Sequence, residues 1–300
     1  MKTNYFTLAL IAILLSFNIV QAKSKVLLRL NLKKGTTYEM TMISDNLIDQ
    51  EIMGQEMKIT QKMEMVFSYH VTDVLPSNNF EIEYSVQKMK LNMNINGQDV
   101  NMDSESTDDS NPGNKSLKDL VNIKIKMEVT PKGSIQKVEG LDEYAQKLSG
   151  NQQMAQSMQM FLNKDNFESF VGQTLNYFPE EAVEKGTKWT STYKLPSMMN
   201  METTMNFEVA SIDKKNILLN VVSDINMNMP IEQNGMTIDM KMTGTQNGTM
   251  SISPIDGWVR GSDLTQKFDM IMKMNNPQSG EDMEIPMKMN AVTKITVVEK

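Results

Sequence analysis

The chain has no cysteine, a single histidine, His70, and only two arginines, Arg29 and Arg260, among its 300 residues. Without thiols there are no disulfide staples, thiolate zinc sites, Cys nucleophiles or lipid-modified N-terminal cysteine, and one histidine per chain excludes a multi-His metal centre. With two guanidinium groups, forked recognition of phosphate or carboxylate has few candidates. No nucleophile elbow, phosphate loop or Gly-x-Gly-x-x-Gly motif occurs, so the reading is non-catalytic, with no cofactor. His70 falls in phase with Glu64 and Ser68 on one strand, which suits an exposed strand-end residue better than a general base.

Long apolar runs are also missing, with one exception at the N-terminus. Lys2 precedes an apolar stretch from Phe6 to Val20, and Val20-Gln21-Ala22 forms a small-x-small site. This is the pattern of a secretory signal peptide over residues 1–22, and the run falls short of the ~20 residues that span a bilayer. The expected location is therefore exported, periplasmic or extracellular, with no transmembrane span in the mature chain. Loss of the leader removes Lys2 and no acid, leaving the mature chain one unit more acidic than the −7 of the whole. Nucleic acid is not an expected partner for such a chain.

Methionine is what the sequence has in excess, with 30 residues. Most of them lie in runs of period two, the mark of half-buried antiparallel strands. Met63, Met65 and Phe67 share one phase; Phe80, Ile82, Tyr84 and Val86 share another that slips by one before Met89, Leu91 and Met93, as at a β-bulge. Further runs hold Met227 and Met229, Met240 and Met242, Met270 and Met272, and a last one reaches Val297. Asn96-Gly97 and Asn234-Gly235 are type I′ hairpin signals. Residues 103–113 are acidic and Ser-rich without an apolar side chain, an expected exposed, flexible loop. The period changes to helical over residues 141–178, where a capping-box pattern at Asp165 and Glu168 opens a stripe of Phe167, Phe170, Val171, Leu175 and Phe178.

Four ordered correspondences link the two β regions. Lys34-Gly35-Thr36 before Tyr38 matches Lys185-Gly186-Thr187 before Trp189, Val71 to Val74 matches Val209 to Ile212, and each is followed by a long strand ending near Asn-Gly. Thr130-Pro131-Lys132-Gly133 matches Ser253-Pro254-Ile255-Asp256-Gly257. The expected organisation is a first β repeat over 23–140, a helical insert over 141–178 and a second β repeat over 179–300. The segments "KGTTYEM", "VTPKGSIQKVEG" and "YFPEEAVEKGTKW" also resemble a domain-of-unknown-function family of exported, β-rich Gram-negative bacterial proteins. That resemblance implies location and architecture and supplies no site residue.

The fold class expected is mainly β (α+β), two related curved antiparallel sheets or half-barrels with the helical insert packed between or across them. This outline is similar to that of periplasmic lipoprotein carriers and lipid-binding half-barrels. Ordering a methionine costs roughly 1 kcal/mol more rotamer entropy than ordering Ile or Leu, so locking two dozen of them would cost on the order of 20 kcal/mol, above a typical net stability of about 5–15 kcal/mol. Many should keep rotamer freedom at a soft face. The leading functional expectation is a concavity for an apolar or lipid-like ligand, lined by Met63, Met65, Met89, Met93, Met227, Met229, Met240, Met242, Met270, Met272, Phe167 and Phe170. The alternatives are a filled structural or interaction module with an envelope protein partner, and a Cu(I)-binding protein using Met-x-Met thioethers.

Overall fold

The computed structural model describes residues 25–52, 54–148, 163–195, 200–233, 236–275 and 282–300. The expected signal peptide, residues 149–162 of the expected helical insert, and the Asn234-Gly235 turn lie outside these residues. Twelve strands are present: β1 (Thr37–Ile52), β2 (Gln55–Val74), β3 (Phe80–Ile95), β4 (Gln98–Asp103), β5 (Ile125–Val129), β6 (Ile135–Glu139), β7 (Lys188–Leu195), β8 (Asn200–Ile212), β9 (Ile217–Gln233), β10 (Met236–Ile252), β11 (Val259–Asn275) and β12 (Asp282–Glu299). Among the described residues three helices join them: α1 (Pro112–Leu120), α2 (Leu141–Leu148) and α3 (Lys164–Leu175).

All twelve strands form one antiparallel sheet in the order β6-β5-β3-β2-β1-β12-β11-β10-β9-β8-β7, with β4 added to β3. The strands expected in two sheets are thus continuous. The seam is β1 against β12, paired from Tyr38↔Glu299 to Gln50↔Met287, which joins the first half of the chain to its last strand. α3 packs against both β6 and β7, the two ends of the strand order, so the helix bridges the free edges of the sheet.

Local geometry repeats where the sequence does. Gly35 and Gly186 both take φ of +87°, and each donates its N–H to the carbonyl of the matched valine, Val71 or Val209, at 2.8 Å. Those valines donate back to Thr36 and Thr187, and a bulge follows in each strand, at Val71/Asp73 and Val209/Ser211. At the other matched turn, Gly133 and Gly257 also have positive φ, and an added Cβ would lie 2.0 Å from the carbonyl oxygen of Leu175 or Arg29.

The stretch Asp103–Gly113 is a loop exposed over much of its length, in which Asp103, Ser106 and Asp108 side chains accept backbone N–H bonds two residues on, and Asn111 caps α1 with Pro112 at its first turn. Short polar side chains that bond their own backbone order such a segment without apolar burial. α3 is capped by Asn163, whose side chain accepts from the N–H of Asp165 and Asn166, and the expected cap Asp165 sits inside the first turn. Glu168 pairs with Lys164 one turn away.

Strands of 16 to 20 residues rise roughly 50–65 Å. The main core occupies only one end. There Tyr38, Tyr69, Tyr84, Phe207, Leu219 and Ile252 of the sheet, with Trp258 just before β11, are buried with Val171 and Leu175 of α3 and Leu28, Leu30 and Leu32 of the extended N-terminal segment. A smaller cluster sets Leu117 and Leu120 of α1 and Tyr144 of α2 over Met89 and Met102 at the β3–β4 edge.

Candidate functional site

The two faces of the sheet differ sharply in charge. By register, the inner face, which carries the core, presents no Asp, Glu, Lys or Arg from β1, β2, β9, β10, β11 or β12 above its base, where Arg260 of β11 and Glu299 of β12, opposite Tyr38, pair with each other. The alternate residues on the outer face include Asp45, Lys62, Asp239, Lys241, Lys273 and Glu284, several in ion pairs such as Lys62–Asp45 at 3.7 Å. On the same outer face Lys88 lies 3.1 Å from both Glu105 and Glu64, whose hydrogen bonds push its pKa up. This is strict period-two partition held over very long strands.

Along the inner face three storeys follow from the base upward. The base is aromatic. Tyr38 stacks on Trp258 with ring centroids 4.3 Å apart, Tyr69 meets Trp258 edge-on at 5.3 Å, and Tyr84 contacts Phe167 of α3 at 5.8 Å. The Tyr38 hydroxyl donates to Asp256 Oδ2 at 3.2 Å; burial, then the Asp256 charge, push its pKa far up. Arg260 pairs with Asp256 and, at 2.8 Å, with Glu299, while its guanidinium lies 5.6 Å from the Tyr38 ring centre. Arg29 donates to the carbonyls of Leu28, Pro179 and Glu180. Both arginines therefore bind groups of the chain itself. Burial raises the phenols of Tyr69 and Tyr193 to about 12.

The second storey is an uncharged polar belt. Thr293 Oγ1 donates to Gln266 Oε1 at 3.3 Å, and Gln266 Nε2 donates to Gln246 Oε1 at 2.6 Å. In the opposite direction Ser44 Oγ, 3.3 Å from Thr293 Oγ1, donates to Asn46 Oδ1 at 2.9 Å, and Asn46 Nδ2 reaches Gln61 Oε1 at 3.5 Å. Ser223, opposite Gln246 on β9, extends the belt to a sixth strand; its Oγ is fully buried and has no hydrogen-bond partner.

Above the belt lie the methionines. Met227, Met242, Met270 and Met287 are directly opposite one another on β9, β10, β11 and β12, and Gln50 and Met57 continue this row onto β1 and β2. Met240 and Met272 form the next row, ending at Ile285. Directly opposed Cβ atoms are about 4.5–5.5 Å apart, a spacing at which long neighbouring side chains are within reach of one another. Met227, Met240, Met242, Met270, Met272 and Met287 are all half-buried, while Phe268 and Ile285 among them are buried. The described helices pack chiefly against β3, β4, β6 and β7, away from these rows.

The expected lining residues therefore separate into groups. Met227, Met240, Met242, Met270 and Met272 come together on one wall. Met63 and Met65 lie on the other side of the seam beside Ser44 and Met42, with Met93 opposite Gln61 and Met89 under α1. Phe167 belongs to the base, packed on Tyr84. Met229 is paired through its backbone with Met240 and Phe170 lies within α3; their side chains are outside the described residues. His70 sits on the outer face with Nδ1 2.8 Å from Thr37 Oγ1. Two concavities of 610 and 650 Å³ are lined chiefly by outward residues, among them Asp45, Leu47 and Lys62 in one and Asp49, Lys58 and Lys288 in the other.

The belt is what sequence reasoning missed. Its signal is a row of Gln, Ser, Thr and Asn at inner-phase positions, which in a single strand reads only as an interruption of the apolar period.

Among solved structures, the chain is similar to lipovitellin, from a structure titled for lipid–protein interactions, at 9% identity and a TM-score of 0.46, covering 90% of this chain and 26% of that one. It therefore spans about a quarter of the lipovitellin chain. OpdQ of Pseudomonas aeruginosa matches at 7% identity and a TM-score of 0.22, covering 88% of this chain and 99% of that one. An outer membrane channel from Pseudomonas putida F1 matches at 7% identity and a TM-score of 0.21, covering 90% and 97%. No curated protein matches the chain in sequence. The model of a family of unknown function, DUF6263, matches residues 77–259, well over half of the chain, and the protein belongs to that family.

Proposed function

We propose that the protein is a non-catalytic, exported binding protein, periplasmic or extracellular, whose Met-lined inner face accepts a lipid-like or otherwise apolar ligand. One observation carries this reading: above the belt, rows of half-buried methionines run in register across β9 to β12 on a part of the inner face without charged side chains. Unbranched, polarizable thioethers adapt to apolar partners of variable shape, and a half-exposed apolar face of this width is a surface that soluble proteins rarely leave bare. The leader-like residues 1–22 support export. The matched hydrogen bonds at Gly35 and Gly186 support reading the two halves as copies of one curved unit.

Buried Phe268 and Ile285 favour the second reading, a filled interaction module without a small ligand. Native mass spectrometry of the protein purified from its exported fraction, followed by solvent extraction, separates the readings. Release of an apolar molecule of defined mass supports the carrier. A bare polypeptide mass that also fails to take up added lipid supports the module, and a copper adduct would replace both.

A further inference from the structure

The polar belt has a direction. From the Ser44–Thr293 pair at the seam, hydrogen bonds run outward both ways, through Gln266 to Gln246 and through Asn46 to Gln61, each amide oxygen taking a bond from the residue nearer the seam. Every amide carries two N–H donors and an oxygen with two lone pairs, so each link of this chain uses no more than half of its hydrogen-bonding capacity. Beside Gln246 the hydroxyl of Ser223 is fully buried and has no partner. A buried polar group in that condition is costly, and its cross-strand neighbours on the inner face are Met205 and Gln246, whose flexible side chains can be displaced. The face around it holds no charge with which an ionised headgroup could pair, and a lone ion there would be heavily penalised.

We propose that the belt, centred on Ser223 and Gln246, receives the hydrogen-bond-accepting oxygens of an electrically neutral amphiphile, such as the ester carbonyl of an acylglycerol, while the hydrocarbon chain lies along the methionine rows above. This deepens the carrier reading and rests on it. The belt fixes the depth of the polar group, and the thioether rows tolerate chains of differing shape.

The test compares three probes of similar chain length, 1-monooleoylglycerol, oleate and 1-octadecene, binding to the wild-type protein and to Ser223→Ala and Gln246→Met. Wild type is expected to bind monooleoylglycerol more tightly than oleate. Ser223→Ala is expected to weaken monooleoylglycerol about five- to tenfold, the worth of one hydrogen bond, with octadecene unchanged. Its melting temperature should hold or rise, because the hydroxyl it removes has no partner in the free protein. Gln246→Met should lose monooleoylglycerol affinity and keep octadecene. If both variants bind monooleoylglycerol as wild type does, the belt proposal falls and the carrier reading stands. If oleate binds tightest, or if Ser223→Ala lowers the melting temperature and weakens every probe alike, the belt is not a neutral anchor. Failure of the wild type to bind all three probes overturns the carrier reading and the belt with it.

Discussion

Met127 and Met270 face the same side of one sheet, yet truncating each to alanine should have opposite consequences for stability and binding. Met127 on β5 is 2% exposed and belongs to the aromatic base. Met→Ala at a fully buried site removes the transfer energy of its side chain and leaves a cavity, at a cost of about 2–5 kcal/mol. Met270 on β11 is half-buried, flanked by Met242 and Met287, which can relax into the vacated space. Half of a burial term of about 0.8 kcal/mol per methylene-sized group, without a persistent cavity, gives about 1 kcal/mol. Urea unfolding reports both, because Trp258 and Trp189 lie in or against the base and their fluorescence follows it. The expected pattern is a large drop in midpoint for Met127→Ala with lipid uptake retained, and a small drop for Met270→Ala with uptake weakened. Equal costs of about 3 kcal/mol at both sites would refute the division into a packed base and a yielding upper face.

Three further outcomes follow from particular residues. Gly248→Ala should destabilise by about 1–3 kcal/mol in the same assay, because an added Cβ would fall 2.0 Å from the Asp263 carbonyl oxygen on β11, a clash with backbone that no rotamer relieves. Asn163→Ala should cost about 1 kcal/mol through loss of the bonds to the Asp165 and Asn166 N–H groups, read as a lower melting temperature. Tyr69 and Tyr193 have folded-state pKa values of about 12 against an unfolded value near 10, so the folded state holds protons that the unfolded chain releases. Their contribution is intact below pH ~10 and is lost as pH rises toward 12, so the urea midpoint should fall across that window; phenolate absorbance with a midpoint near 10 in the folded protein would contradict the burial.

The strands were legible because their apolar period survives for the whole length of each, and even the slip after Val86 is realised as a bulge that leaves Gln87 unpaired between Val66↔Lys88 and Phe67↔Val86. Asn96-Gly97 forms the expected turn with φ of +49° and +88°. Continuity of the sheet was not legible, since β1 and β12 lie at opposite ends of the chain and no local pattern marks their pairing. α1 was missed for a different reason: its sequence is polar, and only Asn111 and Pro112 announce it. The methionine wall could be read from phase alone. Which methionines are buried and which stay half-buried could not, because Met127 and Met270 have the same local pattern and differ only in what lies across from them.

Methionine methyl groups make the central claim directly measurable. In spectra of protein labelled with [13C-methyl]methionine, addition of 1-monooleoylglycerol is predicted to shift the methyl resonances of Met227, Met242, Met270 and Met287 and to leave Met40 and Met127 in place. Resonances that all stay fixed, or shifts at Met127 as large as those at Met270, would contradict a lipid-accepting wall above a sealed base.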